Sequence, residues 1–354
     1  MTILWINLAI VFIFSFLARF LAAPNNNMEN IPIRPNILFL FGAMISLVLV
    51  SGLRNNIGDT YFYMHIYEMN EFTWEYIHSQ KDFGFGIFQK ILKNYSDDPQ
   101  ILLVTTAFLT NVLIILVLRK YSRIFELSTY VYITGGLFLV TMNGIRQCLA
   151  AAIIFTGTKF LINGNWFLYT LIVLLASTFH QSALVLIPIY FLVRFKAWSK
   201  TTIVLLLFSV LIVIGFDKFS SVLFSSIENT QYGHYANFSE GGASSIRVLV
   251  TAVPLLIAFL GREKLSTIFP KSDYIVNMSI IGLVFMIIST QNWIFARFSI
   301  YFSLYQLILI SWCVKLFREK EQKLVYYGIL FCYFIFYYYE SVMSLNIVYK
   351  SNYL

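Results

Sequence analysis

Apolar runs long enough to cross a lipid bilayer recur from one end of the chain to the other. The first run, 2–23, already has the roughly 20 residues that a transmembrane helix needs. Of the 354 residues, 59% are hydrophobic and only 12% are charged, and the mean hydropathy is +0.74. These values lie outside the range of soluble globular proteins. Because helices satisfy their own backbone hydrogen bonds in lipid, the sequence predicts an all-α polytopic membrane protein.

The apolar pattern predicts about twelve transmembrane helices, within a range of about 10 to 14, in a single integral membrane domain covering residues 1–354. The predicted spans are 2–23, 36–52, 99–118, 124–141, 145–163, 165–178, 181–195, 201–216, 245–261, 274–290, 293–316 and 323–340. Several have only about 14 to 17 residues, which is also typical of half-spans or tilted helices buried by their neighbours.

Basic residues cluster in the short loops between these runs, as orientation signals do, so the net charge of +8 does not point to nucleic acid. If both termini lie outside, every cluster falls on the cytoplasmic side, in agreement with the positive-inside rule. The clusters centre on Arg34, Arg119, Lys196, Lys264 and Lys320. The same topology places two long hydrophilic segments, 53–98 and 217–244, on the outside.

These two outer segments mix aromatic and charged residues, a pattern typical of amphipathic helices at the membrane interface. We expect both segments to cover a cavity. In 217–244 the aromatic residues precede a flexible SEGGASS stretch, which predicts a mobile lid.

The stretch NGIRQCLAA places three polar residues at the start of an otherwise apolar span. On a helix, Asn143, Arg146 and Gln147 share one face, since they are three and four residues apart. An arginine in lipid costs roughly 3 kcal/mol and indicates a functional site. Under the predicted topology, further basic residues lie at the same depth in the outer leaflet: Arg54, His180, Arg247 and Arg297, with Tyr301 one turn deeper on the face of Arg297.

Basic residues gathered at one depth predict a site for an anionic ligand. A lipid diphosphate suits this site, because a guanidinium group stays charged and can bind two phosphate oxygens at once. His180 is the titratable partner that can take a proton from an attacking hydroxyl. The four histidines and three cysteines show neither HxxxH nor CxxC spacing, so we expect no metal and no other cofactor.

Each of these residues also has a structural interpretation. Arginines near span ends reach to the interface or cap helices, and this alternative stays open for Arg146, Arg297, Arg54 and Arg247. A histidine at a helix start is often a cap. Asp59 fits a turn, and Asp97 and Asp98 fit the N-terminal cap of a helix that starts at Pro99.

Three motifs in order make the sequence resemble the EpsG-like family of Wzy-type bacterial polysaccharide polymerases over essentially its whole length. They are RNNIGDTYFY (54–63), NGIRQCLAAAI (143–153) and HQSAL (180–184). The chain departs from the family pattern near its C-terminus, where Val348 and Tyr349 stand in place of an expected Pro-Tyr pair.

The resemblance implies a GT-C-like, metal-independent glycosyltransferase. It would join undecaprenyl-diphosphate-linked oligosaccharide repeat units at the outer face of the bacterial cytoplasmic (inner) membrane. On that basis His180, or otherwise Asp59, is the catalytic base. The diphosphate is held by Arg146, Arg297 and Arg54, with Asn143, Gln147 and Tyr301 orienting the phosphates or the sugar. The aromatic residues of 61–88 stack on sugar rings, and a chain-length regulator is a candidate protein partner.

Two other function classes fit a polytopic protein with an anion site. A flippase or transporter for lipid-linked oligosaccharide predicts cationic groups along a path through both leaflets, whereas here they gather in one. A membrane O-acyltransferase acting on the glycan would take acyl groups from the cytoplasmic side, which fits poorly with His180 at the outer end of its span.

Overall fold

Helices form almost all of the regular structure in the computed structural model, which describes residues 1–24, 33–216, 218–221 and 241–354. The predicted all-α class is confirmed. Strand structure among the described residues is limited to an antiparallel pair, Ala23–Pro24 with Ile33–Arg34. Internal contacts divide the chain into two units, one of Met1–Tyr190 with Ile310–Leu354 and one of Phe191–Leu309. The expectation of a single membrane domain stays a prediction.

The helices follow in chain order. They are α1 (Thr2–Phe20), α2 (Ile37–Gly52), α3 (Thr60–Met69), α4 (Trp74–Ser79), α5 (Phe83–Lys93), α6 (Gln100–Tyr121), α7 (Phe125–Thr134), α8 (Leu137–Asn143), α9 (Ile145–Thr156), α10 (Thr158–Asn163), α11 (Trp166–Phe179), α12 (Leu186–Leu192), α13 (Lys200–Ile214), α14 (Ser245–Leu260), α15 (Arg262–Ile268), α16 (Ser272–Ile288), α17 (Ile294–Cys313) and α18 (Glu319–Tyr338). A 3-10 helix, Gln181–Val185, lies between α11 and α12, and a π-helical turn, Tyr339–Ser344, follows α18.

Each predicted span coincides with a helix or a pair of helices, but fewer are long enough to cross a membrane alone. Among the described residues, three helices meet that test, Thr2–Phe20, Gln100–Tyr121 and Ile294–Leu316, and up to five if each bent pair counts as one span. The predicted span 124–141 bends by 55° between α7 and α8, where Gly136 adopts a positive φ of 83° that favours glycine. The number of twelve spans and the GT-C architecture stay predictions.

Local side chains define where several helices begin. The Asn36 side chain accepts a hydrogen bond from the Leu38 amide (2.9 Å) at the start of α2, and Asn165 accepts one from the Leu168 amide (3.1 Å) at α11. At α6 the Asp98 carboxylate accepts from the Gln100 amide (2.8 Å), which confirms the predicted capping role of this aspartate.

In the first unit, neighbouring helices pack in a chain of contacts that leads to α9. α1 packs on α2 and α7, α2 packs on α6, and α6 packs on α9, which also contacts α11. Small residues permit the close approach on α9, since Ala150 and Ala151 are buried. The N-terminal end of α9 lies beside the segment 53–98, since Ile145 belongs to the same buried cluster as Phe85.

The segment 53–98 folds into the three short helices α3, α4 and α5, which share a buried apolar cluster with α6 and Ile145 of α9. The buried members are Tyr67, Phe72, Ile77, Phe85, Leu92, Leu102, Leu103 and Ile145. The predicted helices therefore exist, while their place at a membrane interface stays a prediction. Most of the predicted lid, 217–244, lies outside the described residues.

The second unit is built from helices that pack on α16. Both α13 and α14 contact it, and a small cluster joins Ile212, Ile288, Ile294 and Phe295. The Gln306 side chain donates a hydrogen bond to the Thr251 carbonyl (2.7 Å), which links α17 to α14.

Candidate functional site

Asp82 is the centre of a polar cluster in the first unit. One carboxylate oxygen, Oδ2, lies 2.9 Å from Nη1 of Arg146 and 3.2 Å from Nδ1 of His180. The other oxygen, Oδ1, accepts a hydrogen bond from the Gln181 amide (2.9 Å). The Asp82 side chain is 6% exposed, so this buried carboxylate joins residues from three distant parts of the sequence.

The local structure of α5 and α11 explains how this cluster forms. Asp82 occupies the N-cap position of α5, but its side chain makes no capping hydrogen bond and reaches to the neighbouring helices instead. Gly84, two residues further, lies against α11, where an added Cβ would collide with the side chain of Thr178. Glycine is therefore required for the approach that brings Asp82 to the end of α11.

His180 is the residue between α11 and the 3-10 helix, in an extended conformation with φ of −156°. Its backbone amide still donates to the Ala176 carbonyl (3.1 Å) and closes α11. The side chain is 15% exposed. His180 therefore ends one helix as a cap would, while its ring is free of the helix and reaches Asp82.

Arg146 lies in the first turn of α9, with the carbon of its guanidinium group 6.0 Å from the ring centroids of both Tyr63 and Phe85. Such contacts stabilise a cation. The side chain is 40% exposed, and Nε has no hydrogen-bond partner among the described residues. The Arg146 side chain is thus partly accessible to an anion, while its Nε–H is buried.

The charge of Asp82 is stabilised by its partners. Burial raises the pKa of a carboxyl group, but here the hydrogen bond of His180, its charge when it is protonated, and the charge of Arg146 outweigh burial and hold the pKa of Asp82 below its ordinary value. Asp82 is therefore ionised at neutral pH, and the site contains a fixed negative charge between two cationic or titratable groups.

Arg54 is 1% exposed and donates hydrogen bonds to three oxygens of the protein. Nε donates to Thr60 Oγ1 (2.9 Å), Nη2 donates to the Met142 carbonyl (2.6 Å), and Nη1 donates to the Ser51 carbonyl. Burial lowers the pKa of Arg54 to about 10. These contacts give Arg54 a structural role at the end of α8, and its role as a diphosphate ligand stays a prediction.

Asn143, at the end of α8, contacts Asp59, which immediately precedes α3. The Asn143 side chain accepts a hydrogen bond from the Asp59 amide (2.9 Å). Gly58 has a positive φ of 56°, and an added Cβ would collide with Asn143, so glycine is required here. The Asp59 carboxylate makes no capping bond to α3, and Gln147 is buried on α9. The motif 54–63 thus contacts the end of α8, which immediately precedes the helix that carries Arg146.

The C-terminal tail, which departs from the family pattern at Val348 and Tyr349, binds to the loop between α2 and α3. The Tyr349 hydroxyl donates to the Val50 carbonyl (2.9 Å). Asn56 donates to the Val348 carbonyl (2.6 Å) and accepts from the Lys350 amide (2.7 Å). Asn55 also bonds to the tail through the Lys350 carbonyl (3.0 Å). The tail therefore holds the loop that contains Arg54.

We expect Asn56→Ala to release the tail, because it removes two hydrogen bonds worth about 1 kcal/mol each. A loss of about 2 kcal/mol raises the open population roughly 30-fold. Carboxypeptidase digestion of the purified protein measures this as faster removal of residues 348–354. The control is Asn94→Ala, an exposed asparagine at the end of α5, and equal digestion of both variants would contradict the assignment.

Two predicted site residues, Arg297 and Tyr301, lie in the second unit. The Arg297 guanidinium carbon lies 4.8 Å from the Trp293 ring centroid. Tyr301, one turn further along α17, is buried. The predicted binding of the donor diphosphate by Arg297 and its orientation by Tyr301 stay predictions.

Sequence reasoning missed Asp82, although it identified both of its side-chain partners. Asp82 is one of seven acids between residues 53 and 98, and no spacing distinguishes it from the others. The one usable signal is the sequence DFGFG, in which two glycines follow the aspartate and allow close helix packing.

Comparison with known proteins agrees with the motifs on which this site is built. No curated protein and no solved structure shows a significant similarity to the chain. Residues 37–352, which include Asp82, Arg146, His180 and most of the C-terminal tail, match the sequence model of the EpsG family. This match covers most of the membrane-type helices. The chain therefore belongs to the EpsG family.

Proposed function

We propose that this protein is a polysaccharide polymerase, a membrane glycosyltransferase that joins undecaprenyl-diphosphate-linked repeat units at the outer leaflet of the bacterial cytoplasmic membrane. The observation that carries the proposal is the contact of Arg146 and His180 with one buried carboxylate. A cationic group and a proton acceptor, held together in a membrane protein of this family, are the two groups that such a transfer requires.

Arg146 binds the diphosphate of the donor. Its side chain is 40% exposed, and its guanidinium group stays charged at every physiological pH. As the sugar is transferred, negative charge grows on the leaving diphosphate, and a fixed cation at that point lowers the energy of the transition state. Arg297 is a second proposed ligand, with Tyr301, Asn143 and Gln147 orienting the phosphates or the sugar.

His180 accepts the proton of the attacking hydroxyl. The hydroxyl oxygen of the incoming lipid-linked unit forms a bond to the anomeric carbon of the donor glycan. The bond between that carbon and the diphosphate oxygen breaks, and its electron pair leaves with undecaprenyl diphosphate. The hydroxyl proton passes to the imidazole, so atoms and charges balance without a metal or nucleotide sugar.

Deletion of the gene in its native host tests the proposal. We expect long glycan chains to disappear and single repeat units on undecaprenyl diphosphate to accumulate at the outer face of the membrane. Glycan profiling on gels, with mass spectrometry of extracted lipid-linked sugars, measures both changes. Expression of the wild-type gene from a plasmid is the control and should restore chain length.

The location of the stalled units separates polymerisation from transport. Spheroplasts treated with a glycosidase that does not cross the membrane lose only the units on the outer face. Protection of the accumulated units from this enzyme would contradict the proposal and favour a flippase. Unchanged glycan length would contradict both.

A further inference from the structure

We propose that Asp82 is the positioning residue of this site: it holds His180 in the tautomer that can accept a proton and fixes that histidine relative to Arg146. The inference rests on the proposed function of His180 and Arg146. It starts from a single atom, Oδ2 of Asp82, which contacts both side chains. Sequence spacing gives no indication of this contact, since Asp82 precedes Arg146 by 64 residues and His180 by 98.

The tautomer follows from the hydrogen-bonding inventory of the two groups. An ionised carboxylate only accepts hydrogen bonds, so the proton in the 3.2 Å contact must lie on Nδ1 of His180. In a neutral imidazole the other nitrogen, Nε2, then carries the free lone pair. Asp82 therefore makes Nε2 the atom that takes the hydroxyl proton, and its negative charge stabilises the imidazolium that results.

Two further contacts hold Asp82 in this state. The Arg146 guanidinium group is always charged and favours the ionised carboxylate at 2.9 Å. The Gln181 amide fixes the second oxygen, so the carboxylate cannot rotate freely. Because both side chains contact one oxygen, the group that binds the donor and the group that accepts the proton are kept at a constant separation.

Asp82→Asn tests this role, because asparagine keeps the shape and an oxygen for the Gln181 amide but removes the negative charge. We expect turnover per binding site to fall about 100-fold or more, the contribution of a positioned general base. Binding of farnesyl diphosphate to the purified protein should keep the wild-type stoichiometry. Its affinity should be equal or higher, since a carboxylate no longer competes for Arg146.

Turnover is measured with lipid-linked repeat units extracted from the deletion strain, and sites are counted by titration with farnesyl diphosphate. This normalisation removes any loss of folded protein from the comparison. Asp97→Asn is the matched control, because its side chain is 89% exposed and pairs only with Lys93 among the described residues. It should retain wild-type turnover.

The tautomer itself provides a readout that a merely structural role would not change. In protein labelled with ¹⁵N-histidine at pH 8, the His180 signals are assigned by their loss in His180→Gln. We expect a protonated Nδ1 and an unprotonated Nε2 in the wild type. In Asp82→Asn the Nε2-protonated form should dominate, because the asparagine amide can donate to Nδ1.

The outcomes separate the inference from the function on which it rests. Failure of wild-type protein to bind farnesyl diphosphate would overturn the donor site and the Asp82 role with it. Normal binding with wild-type turnover per site in Asp82→Asn would overturn the Asp82 role alone. An unchanged His180 tautomer in that variant would do the same.

Discussion

Replacing His180 with alanine is expected to lower the rate of chain extension by about 100- to 10,000-fold, the usual contribution of a general base. The imidazole, which contacts Asp82, is the proposed proton acceptor, and alanine would leave the attacking hydroxyl without it. Glycan profiling of the deletion strain carrying His180→Ala measures the effect. The account predicts single repeat units with little or no polymer.

The control separates loss of chemistry from loss of protein. His78→Ala removes an exposed histidine that lies against Trp74, and it should leave chain length unchanged. Both variants carry an epitope tag, so that their amounts in the membrane fraction are compared directly. Wild-type glycan length with His180→Ala would remove this histidine from the mechanism and leave Asp59 as the predicted base.

Arg146→Lys is expected to weaken extension by about 10- to 100-fold, although the positive charge is kept. Hydrogen bonds to charged groups contribute about 1.5–3 kcal/mol, and lysine cannot reproduce the paired geometry of a guanidinium group on phosphate oxygens. The shorter ammonium group also loses the planar contact with the Tyr63 and Phe85 rings. The loss should appear both as a higher KM for the lipid-linked donor and as a lower kcat, because Arg146 is proposed to bind the diphosphate and to stabilise the charge that grows on it.

Arg262→Lys is the matched control for this substitution. Arg262 is exposed at the start of α15. This segment is predicted to face the cytoplasm, so replacement of Arg262 should leave extension unchanged. Equal activity of Arg146→Lys and the wild type would show that the site needs only a positive charge at the membrane interface.

The hydrophobic pattern predicts the helices well. An apolar run buried away from water must pair its own backbone N–H and C=O groups, and a helix does this within a single segment. The ends of α2 and α11 fall within a residue or two of the predicted bounds. The breaks inside predicted spans were missed, as at Gly135 and Gly136 between α7 and α8. Two glycines in an apolar run do not reveal that one of them adopts a positive φ.

The site was predicted in part, and the reason lies in what each residue contacts. Arg146 and His180 stand out because polar groups at membrane depth are rare. Asp82 comes from the acid-rich segment 53–98, where one more charged residue gives no signal, and its proposed role depends on folding that joins α5 to α9 and α11. Long-range contacts of this kind cannot be derived from a single sequence.

Arg54 shows the opposite limitation. The sequence places Arg54 at the end of a predicted span, where it is a candidate ligand for an anion or an arginine that reaches to the interface. In the structure its partners are the Ser51 and Met142 carbonyls and the Thr60 hydroxyl. Backbone carbonyls are present at every position, so sequence alone cannot reveal that they satisfy an arginine.

The central claim is that Arg146 binds a polyprenyl diphosphate, and direct binding tests it. Calorimetric titration of farnesyl diphosphate into purified protein in lipid nanodiscs compares the wild type with Arg146→Lys, with farnesol as the uncharged control ligand. The account predicts saturable binding to the wild type, about 10-fold or more weaker binding to the variant, and far weaker binding of farnesol. Equal affinity of both proteins for farnesyl diphosphate would contradict it.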